Sequence, residues 1–276
     1  MFNSNSSITN SQFQIPDSLI NYTLHLADNT LILAQQNSAW CGHGPILEQD
    51  IAITNISLDL LGQARNFYQY AAQLINEFKA HSPKERAGGE ATEDTLAYLR
   101  DNREYKNCLL TEQENGDWAK TILRQFLFSN YQYLLYEKLQ YGEDEQLRAI
   151  AEKALKEVIY HLKWSSEWVI RLGDGTHESH QRISNAVIEL WPYVDELFIN
   201  ADYESALIAN NIAVDGGSIK KSWLQGTEEI FSEAMLSVPQ NVFSQKGGKQ
   251  GIHTEQLGYI LAEMQFLQRA YPDSVW

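Results

Sequence analysis

Two cysteines in 276 residues, Cys41 and Cys108, are too few for a disulfide framework and lack the spacing of a thiolate metal site. They read as free thiols of a reducing cytoplasm. No run of about eighteen uncharged apolar residues exists to cross a bilayer. Basic residues are in the minority, 21 Lys and Arg against 36 Asp and Glu, for a formal charge of −15. That balance provides no positive footprint for nucleic acid or an anionic membrane. The Asn/Ser-rich start, Met1 to Gln14, has neither the basic nor the apolar region of a signal peptide. Residues 1–15 are therefore expected to be a disordered extension.

Strict apolar–polar alternation is absent, so no segment reads as a strand, whereas period-3.6 patterning recurs throughout. A first helix opens at Pro16-Asp17 and runs to about Ser38, with Leu19, Thr23, Leu26, Thr30 and Leu33 on one face. Gly42 and Gly44-Pro45 break it. A second runs from about Pro45 to Leu74, and Ile51, Leu58 and Leu61 make its outer side apolar as well, which predicts a central position. A linker is expected over 76–90, then short helices around Leu96 and Leu109. A third long helix follows Asn115-Gly116-Asp117 to about Tyr141, and a fourth spans Asp144 to Leu172. Ser179 to Phe198, restarted at Pro192, Asp215 to Met235, and Ile252 to Tyr271 read as further helices. Four long helices followed by a helical C-terminal third predict an all-α, ferritin-like four-helix bundle with appended helices, one domain over 16–276.

The fourth helix carries a polar pair inside an apolar stripe. Glu157 and His161 lie one turn apart among Ile150, Ala154, Trp164, Trp168 and Leu172. Burying a carboxylate and an imidazole is costly unless each is paired or ligated. Bundles that hold two metal ions place two single Glu residues and two Glu-x-x-His turns on inward faces. Here Val158 stands where the Glu of such a turn belongs, and the third helix has no carboxylate between Asp117 and Glu137. The second offers the polar line Asn55, Asp59, Gln63 and Asn66, with no imidazole, and the first offers Asp28 and Asn29. Of the other acid-to-His spacings of three, His25 and Asp28 read as solvent-facing and Asp174 and His177 as a Gly-flanked turn.

Trp40-Cys41-Gly42-His43, Pro45, Glu48 and Asp50 are followed by the run Leu58-Asp59-Leu60-Leu61-Gly62-Gln63-Ala64-Arg65-Asn66-Phe67. With Tyr160-His161-Leu162, Asn211-Ile212-Ala213-Val214-Asp215 and a tail from Gly247-Gly248-Lys249 to Arg269, the chain resembles the C subunits of bacterial phenylacetyl-CoA 1,2-epoxidases over nearly its whole length. The resemblance implies a non-catalytic subunit that accompanies a catalytic A subunit of the same fold. The A subunit would carry the di-iron centre that activates O₂ and epoxidises the aromatic ring. A small B subunit and a reductase with NADPH, FAD and an iron–sulfur cluster complete such a system. It further implies that Asn29 replaces the first Glu ligand, that Leu60 and Gln63 replace one Glu-x-x-His turn, and that Val158 with His161 replace the other. The expectation is no cofactor in this chain and a vestigial site made of Asn29, Asp59, Gln63, Glu157 and His161.

Each feature also has a plain structural reading. Glu157 and His161 can form a buried structural pair or a weak metal site, with the structural pair favoured. Cys41 and His43 can be a ligand pair, a nucleophile with its base, or part of a packed inter-helix turn. Lys246 to Gly251 is no Walker motif and reads as a mobile loop before a CoA-phosphate contact. An independent di-metal oxygenase with an unusual ligand set and a CoA-thioester-binding regulatory module remain as alternative functions. A large apolar interface with the catalytic paralogue is expected, and a homodimer when the chain is isolated.

Overall fold

A computed structural model describes residues 8–81, 89–272 and 274. Among these the secondary structure is helical, without strands. The elements are α1 (Ile8–Ser38), α2 (Leu47–His81), α3 (Glu93–Tyr98), α4 (Trp118–Leu139), α5 (Glu145–Gly173) and α6 (His177–Leu190). They continue with α7 (Asp202–Ala209), α8 (Gly216–Glu233), α9 (Glu255–Met264) and α10 (Phe266–Ala270). Helix starts follow local capping chemistry. Asp117 and Asp144 accept from the backbone N–H of Lys120 and Leu147 at 3.0 and 2.8 Å, and Thr176 does the same for Ser179 at 3.1 Å.

Two antiparallel hairpins, α1/α2 and α4/α5, form the bundle; α7 lies on α1, while α6 and α8 cover α4. α1 and α4 are thereby enclosed on nearly all sides. Residues 22–34 are buried without a break, as are 121–132. This corrects the expectation that α2 is central: its inner line Ile53, Ile56, Leu60, Phe67 is buried, but Ile51, Leu58 and Leu61 face outward.

Several boundaries also differ. α1 begins at Ile8 rather than at Pro16, which lies inside it, so the expected disordered stretch is helical from residue 8. The linker expected over 76–90 is helical to His81, and residues 82–88 lie outside the described residues. No helix forms around Leu109. Instead Tyr105 to Gln113 crosses the core as irregular backbone, which is tolerable only if its polar groups find partners. They do so through side chains from distant elements. The N–H groups of Lys106, Cys108 and Leu109 donate to Asp28, Asn29 and Glu196 at 2.8, 2.8 and 2.7 Å. The carbonyl oxygen of Lys106 accepts from His25, that of Tyr105 from His253, and that of Gln113 from Arg124.

Candidate functional site

α2 and α5 run antiparallel, so a four-residue step along one matches a four-residue step back along the other. That register joins Asp59 to His161 and Gln63 to Glu157. His161 Nε2 is 3.0 Å from Asp59 Oδ2, and Gln63 Nε2 donates to Glu157 Oε2 at 2.9 Å. The network continues into α4, where Gln132 Nε2 donates to Gln63 Oε1 at 2.9 Å and to the Tyr136 hydroxyl at 3.1 Å. Burial raises the pKa of Tyr136, the hydrogen bond from Gln132 opposes this, and the charge of Glu157 adds to the rise.

Four of the five residues expected to make up a vestigial site are thus brought together, but not in the expected pairing. Glu157 and His161 do not satisfy each other; each reaches across to α2. Glu157 is half-buried and His161 fully buried. If His161 donates Nε2–H to Asp59, its Nδ1 is a buried acceptor with no protein donor. Asn29 belongs elsewhere: its Oδ1 takes the Cys108 N–H, and its amide nitrogen lies 3.2 Å from His25 Nε2.

A two-metal centre does not fit this donor set. Among the described residues no three His, Cys, Asp or Glu side chains are grouped as a metal requires. The positions between the helices are held by neutral amides: Gln63 donates to Glu157 and accepts from Gln132, whose own Oε1 has no protein donor, and the buried Leu60 one turn before Gln63 offers no ligand atom. A dent of about 270 Å³ beside the network is lined by Leu58, Asp59, Gly62, Lys153 and Glu157.

The other candidates have partners within the fold. His25 and Asp28, read as solvent-facing, are fully buried. Burial pulls the His25 imidazole down to about 3, helped by the charge of Lys249 and opposed by its bond to the Lys106 carbonyl. A neutral ring with Nδ1–H donating to that carbonyl matches this environment. Asp28 receives the Arg100 guanidinium, the Tyr68 hydroxyl at 2.6 Å and the Lys106 N–H. Cys41 and His43 sit in an exposed turn fastened by Asp50 Oδ1, which accepts from Gly42 N at 2.9 Å and Gly44 N at 3.0 Å. Within the 246–251 stretch read as a mobile loop, Gly247, Gly248 and Lys249 are buried and hydrogen-bonded. The N–H groups of Gly247 and Gly248 both donate to Glu196 Oε1 at 2.7 Å, and Lys249 is buried with Nζ 3.2 Å from Glu204.

Sequence reasoning missed a buried carboxylate–imidazole pair. Glu112 accepts from His253 Nδ1 at 2.8 Å and from the Thr254 N–H at 2.7 Å, while His253 Nε2 lies 2.9 Å from the Tyr105 carbonyl oxygen. Both ring nitrogens face acceptors, which requires the imidazolium. Burial alone would lower the His253 pKa, but the hydrogen bond and charge of Glu112 outweigh it and raise the value. Also missed was a tryptophan cluster at one end of the bundle. Trp118 packs edge-on against Trp40, Trp164 and Trp168 at centroid distances of 5.3, 6.1 and 5.6 Å, and Gln49 Oε1 accepts from both Trp164 and Trp168. Tryptophans at 164 and 168 on one face were the available signal.

None of the described helices is long and apolar enough to span a membrane. Residues 6–276 match the family described as phenylacetic acid catabolic protein. Over 255 residues the chain is 46% identical to the C subunit of 1,2-phenylacetyl-CoA epoxidase from Escherichia coli K12, covering 92% of this chain and 98% of that one. The helical fold, its two-hairpin core and this match over almost the whole length agree, and the chain belongs to the phenylacetic acid catabolic protein family.

Proposed function

We propose that this protein is the structural C-type component of a phenylacetyl-CoA 1,2-epoxidase, supporting a catalytic paralogue that carries the di-iron centre. The observation behind this reading is the donor set between the helices: the neutral amides Gln63 and Gln132 bridge α2, α4 and α5, and the apolar Leu60 is buried where a Glu-x-x-His turn would place its Glu. The fold is retained while the donors are not, so the selected property is the surface rather than the centre. The identity to the E. coli protein extends over nearly its full length, which supports the same place in a complex. In this reading the small B subunit and a flavin/iron–sulfur reductase fed by NADPH are the remaining partners, and the complex works in the cytoplasm, which suits two unpaired thiols.

Two measurements test the proposal. Co-expressed with its catalytic paralogue, the chain should co-purify as a stable complex that turns over phenylacetyl-CoA with O₂ when the small B subunit and the reductase are supplied, and should show no turnover by itself. Elemental analysis after iron-supplemented expression should give far less than two irons per chain. Two tightly held irons, or oxygenase activity of the chain alone, would refute the reading in favour of an independent oxygenase.

A further inference from the structure

After α8 the chain runs without regular structure from Leu236 to Lys246 and forms a strap. Its two ends are fastened: the Leu236 and Gln245 N–H groups donate to the Phe231 and Pro192 carbonyl oxygens at 2.8 and 2.7 Å. Between them, residues 237–244 make no hydrogen bond to the rest of the described chain. Under the strap lies a cavity of about 310 Å³, which Val238, Pro239 and Val242 line from above. The lining from the body of the protein is aromatic, with Trp191 and Phe198 from the turns after α6 and Trp223 from α8. The Trp223 ring is 5.9 Å from Trp191 at 43° and 5.2 Å from Phe198 at 60°. Its indole is held in place, because Nε1 donates to the Leu127 carbonyl oxygen at 3.0 Å. Ser244 also lines the cavity, and its Oγ is shut off from solvent without a hydrogen-bond partner. A buried hydroxyl left in that condition is destabilising, and a polar group entering the cavity would relieve it.

We propose that this cavity is a binding site for a small neutral aromatic molecule, a single ring whose short hydrogen-bonding substituent reaches Ser244 Oγ. Size, lining and charge together select this class. The volume stands at the lower end of pockets that enclose small molecules and suits one ring with its substituent. The three rings are set at angles to one another, which leaves faces and edges for offset or edge-on contact with a further ring. Such contacts favour an aromatic over a saturated ring of the same size by roughly threefold to tenfold in affinity. At the rim, Lys220 Nζ lies 2.7 Å from Asp195 Oδ1 and over the Phe198 ring, so this pair compensates itself. The exposed Glu228 then leaves the rim net negative, which disfavours an aromatic carboxylate. The strap supplies the way in, because residues 237–244 can lift from the cavity without breaking a hydrogen bond to the body of the protein. A ring carried on a partner's backbone would have to displace the strap, whereas a free molecule fits beneath it.

None of the lining residues belongs to the network of α2, α4 and α5, so the proposal does not rest on the epoxidase reading. Isothermal titration calorimetry of the full-length protein with benzamide tests it. Saturable binding at one site per chain is expected, with a Kd on the order of 100 µM for a ligand of this size. Cyclohexanecarboxamide should bind roughly threefold or more weakly still. Benzoate should also bind more weakly than benzamide, and Glu228→Gln should narrow that gap. Leu224→Trp fills the cavity and should abolish binding while circular dichroism shows the fold intact. Ser244→Ala removes a hydroxyl that holds nothing in the free protein, so Tm should not fall, yet affinity for benzamide should drop about fivefold. This second variant decides the matter even if the added tryptophan impairs folding. No saturable heat in the millimolar range, binding that persists in Leu224→Trp, equal affinity for the saturated ring or for benzoate, or unchanged affinity in Ser244→Ala would each overturn the proposal.

Discussion

Replacing Asp28 with Ala should be among the most damaging single changes in this protein. Its carboxylate is wholly buried and serves three groups at once: the Arg100 guanidinium, the Tyr68 hydroxyl and the Lys106 N–H. Without it, Arg100, itself nearly buried, keeps its charge with no anion beside it. Desolvation would lower its pKa, and Asp28 is the chief reason the value is raised instead. Removing one member of a buried ion pair costs about 3–5 kcal/mol. Orphaning the Lys106 N–H and the Tyr68 hydroxyl adds to that by about 1–3 kcal/mol each, without strict additivity. A loss of about 4 kcal/mol is a large part of the 5–15 kcal/mol by which domains are stable, and corresponds to a fall in Tm of about 8–16 °C at this size. Asp28→Asn preserves volume and one acceptor and should cost roughly half as much. Asp28→Leu combined with Arg100→Met removes the stranded charge and should cost less than Asp28→Ala alone. Thermal and urea unfolding followed by far-UV circular dichroism measures all three. A loss below 1 kcal/mol for Asp28→Ala would mean that the charged cluster does not hold the 105–113 segment in the core.

Three further perturbations probe other parts of the argument. Gly248→Ala would place a Cβ 2.2 Å from the Asn107 carbonyl oxygen and should lower Tm by several degrees, whereas Gly258→Ala, where nothing lies within 4 Å, should be neutral or stabilising. The His253 pKa is raised on folding, so its stabilising contribution is complete below the unfolded value of about 6.5 and is lost as pH rises through the folded value. Urea midpoints across that range should therefore fall with rising pH in the wild type and lose that component in His253→Gln. Gln63→Glu would set a second carboxylate at hydrogen-bond distance from Glu157. It should destabilise by about 1–3 kcal/mol at pH 8 and by less near pH 5, where one proton can be shared; no pH dependence of the difference would argue that the network is open to solvent.

Sequence periodicity disclosed the long helices because each buries a stripe whose spacing is local information. It could not disclose the course of residues 105–113. That segment is stable only because Asp28, Asn29, Glu196 and His253, far away in sequence, supply its hydrogen bonds. The same residues explain why His25 and Asp28 read wrongly as solvent-facing: a buried carboxylate next to apolar residues on a helix looks like an exposed one until its guanidinium partner is known. α2 misled in the opposite direction. Apolar residues at 51, 58 and 61 suggested a helix buried all round, because an exposed apolar face has the same helical spacing as the buried inner line.

The central polar residues were legible as a set but not as pairs, and the reason is geometric. Two side chains four apart on one helix lie side by side and point the same way, so Glu157 and His161 compete for the facing helix more than they serve each other. The antiparallel partner presents Asp59 and Gln63 with the same four-residue step in the opposite sense, and two parallel rungs form. The pairing in these rungs follows from the donors and acceptors present. A site with four or more carboxylates is stable only while cations offset their repulsion; once histidines are missing, each remaining acid needs a neutral or donor partner. Gln63 fits that need, because one amide can donate to Glu157 and accept from Gln132. An apolar residue there would strand both neighbours, and a carboxylate would repel Glu157. The glutamines therefore tie α2, α4 and α5 together in a single register.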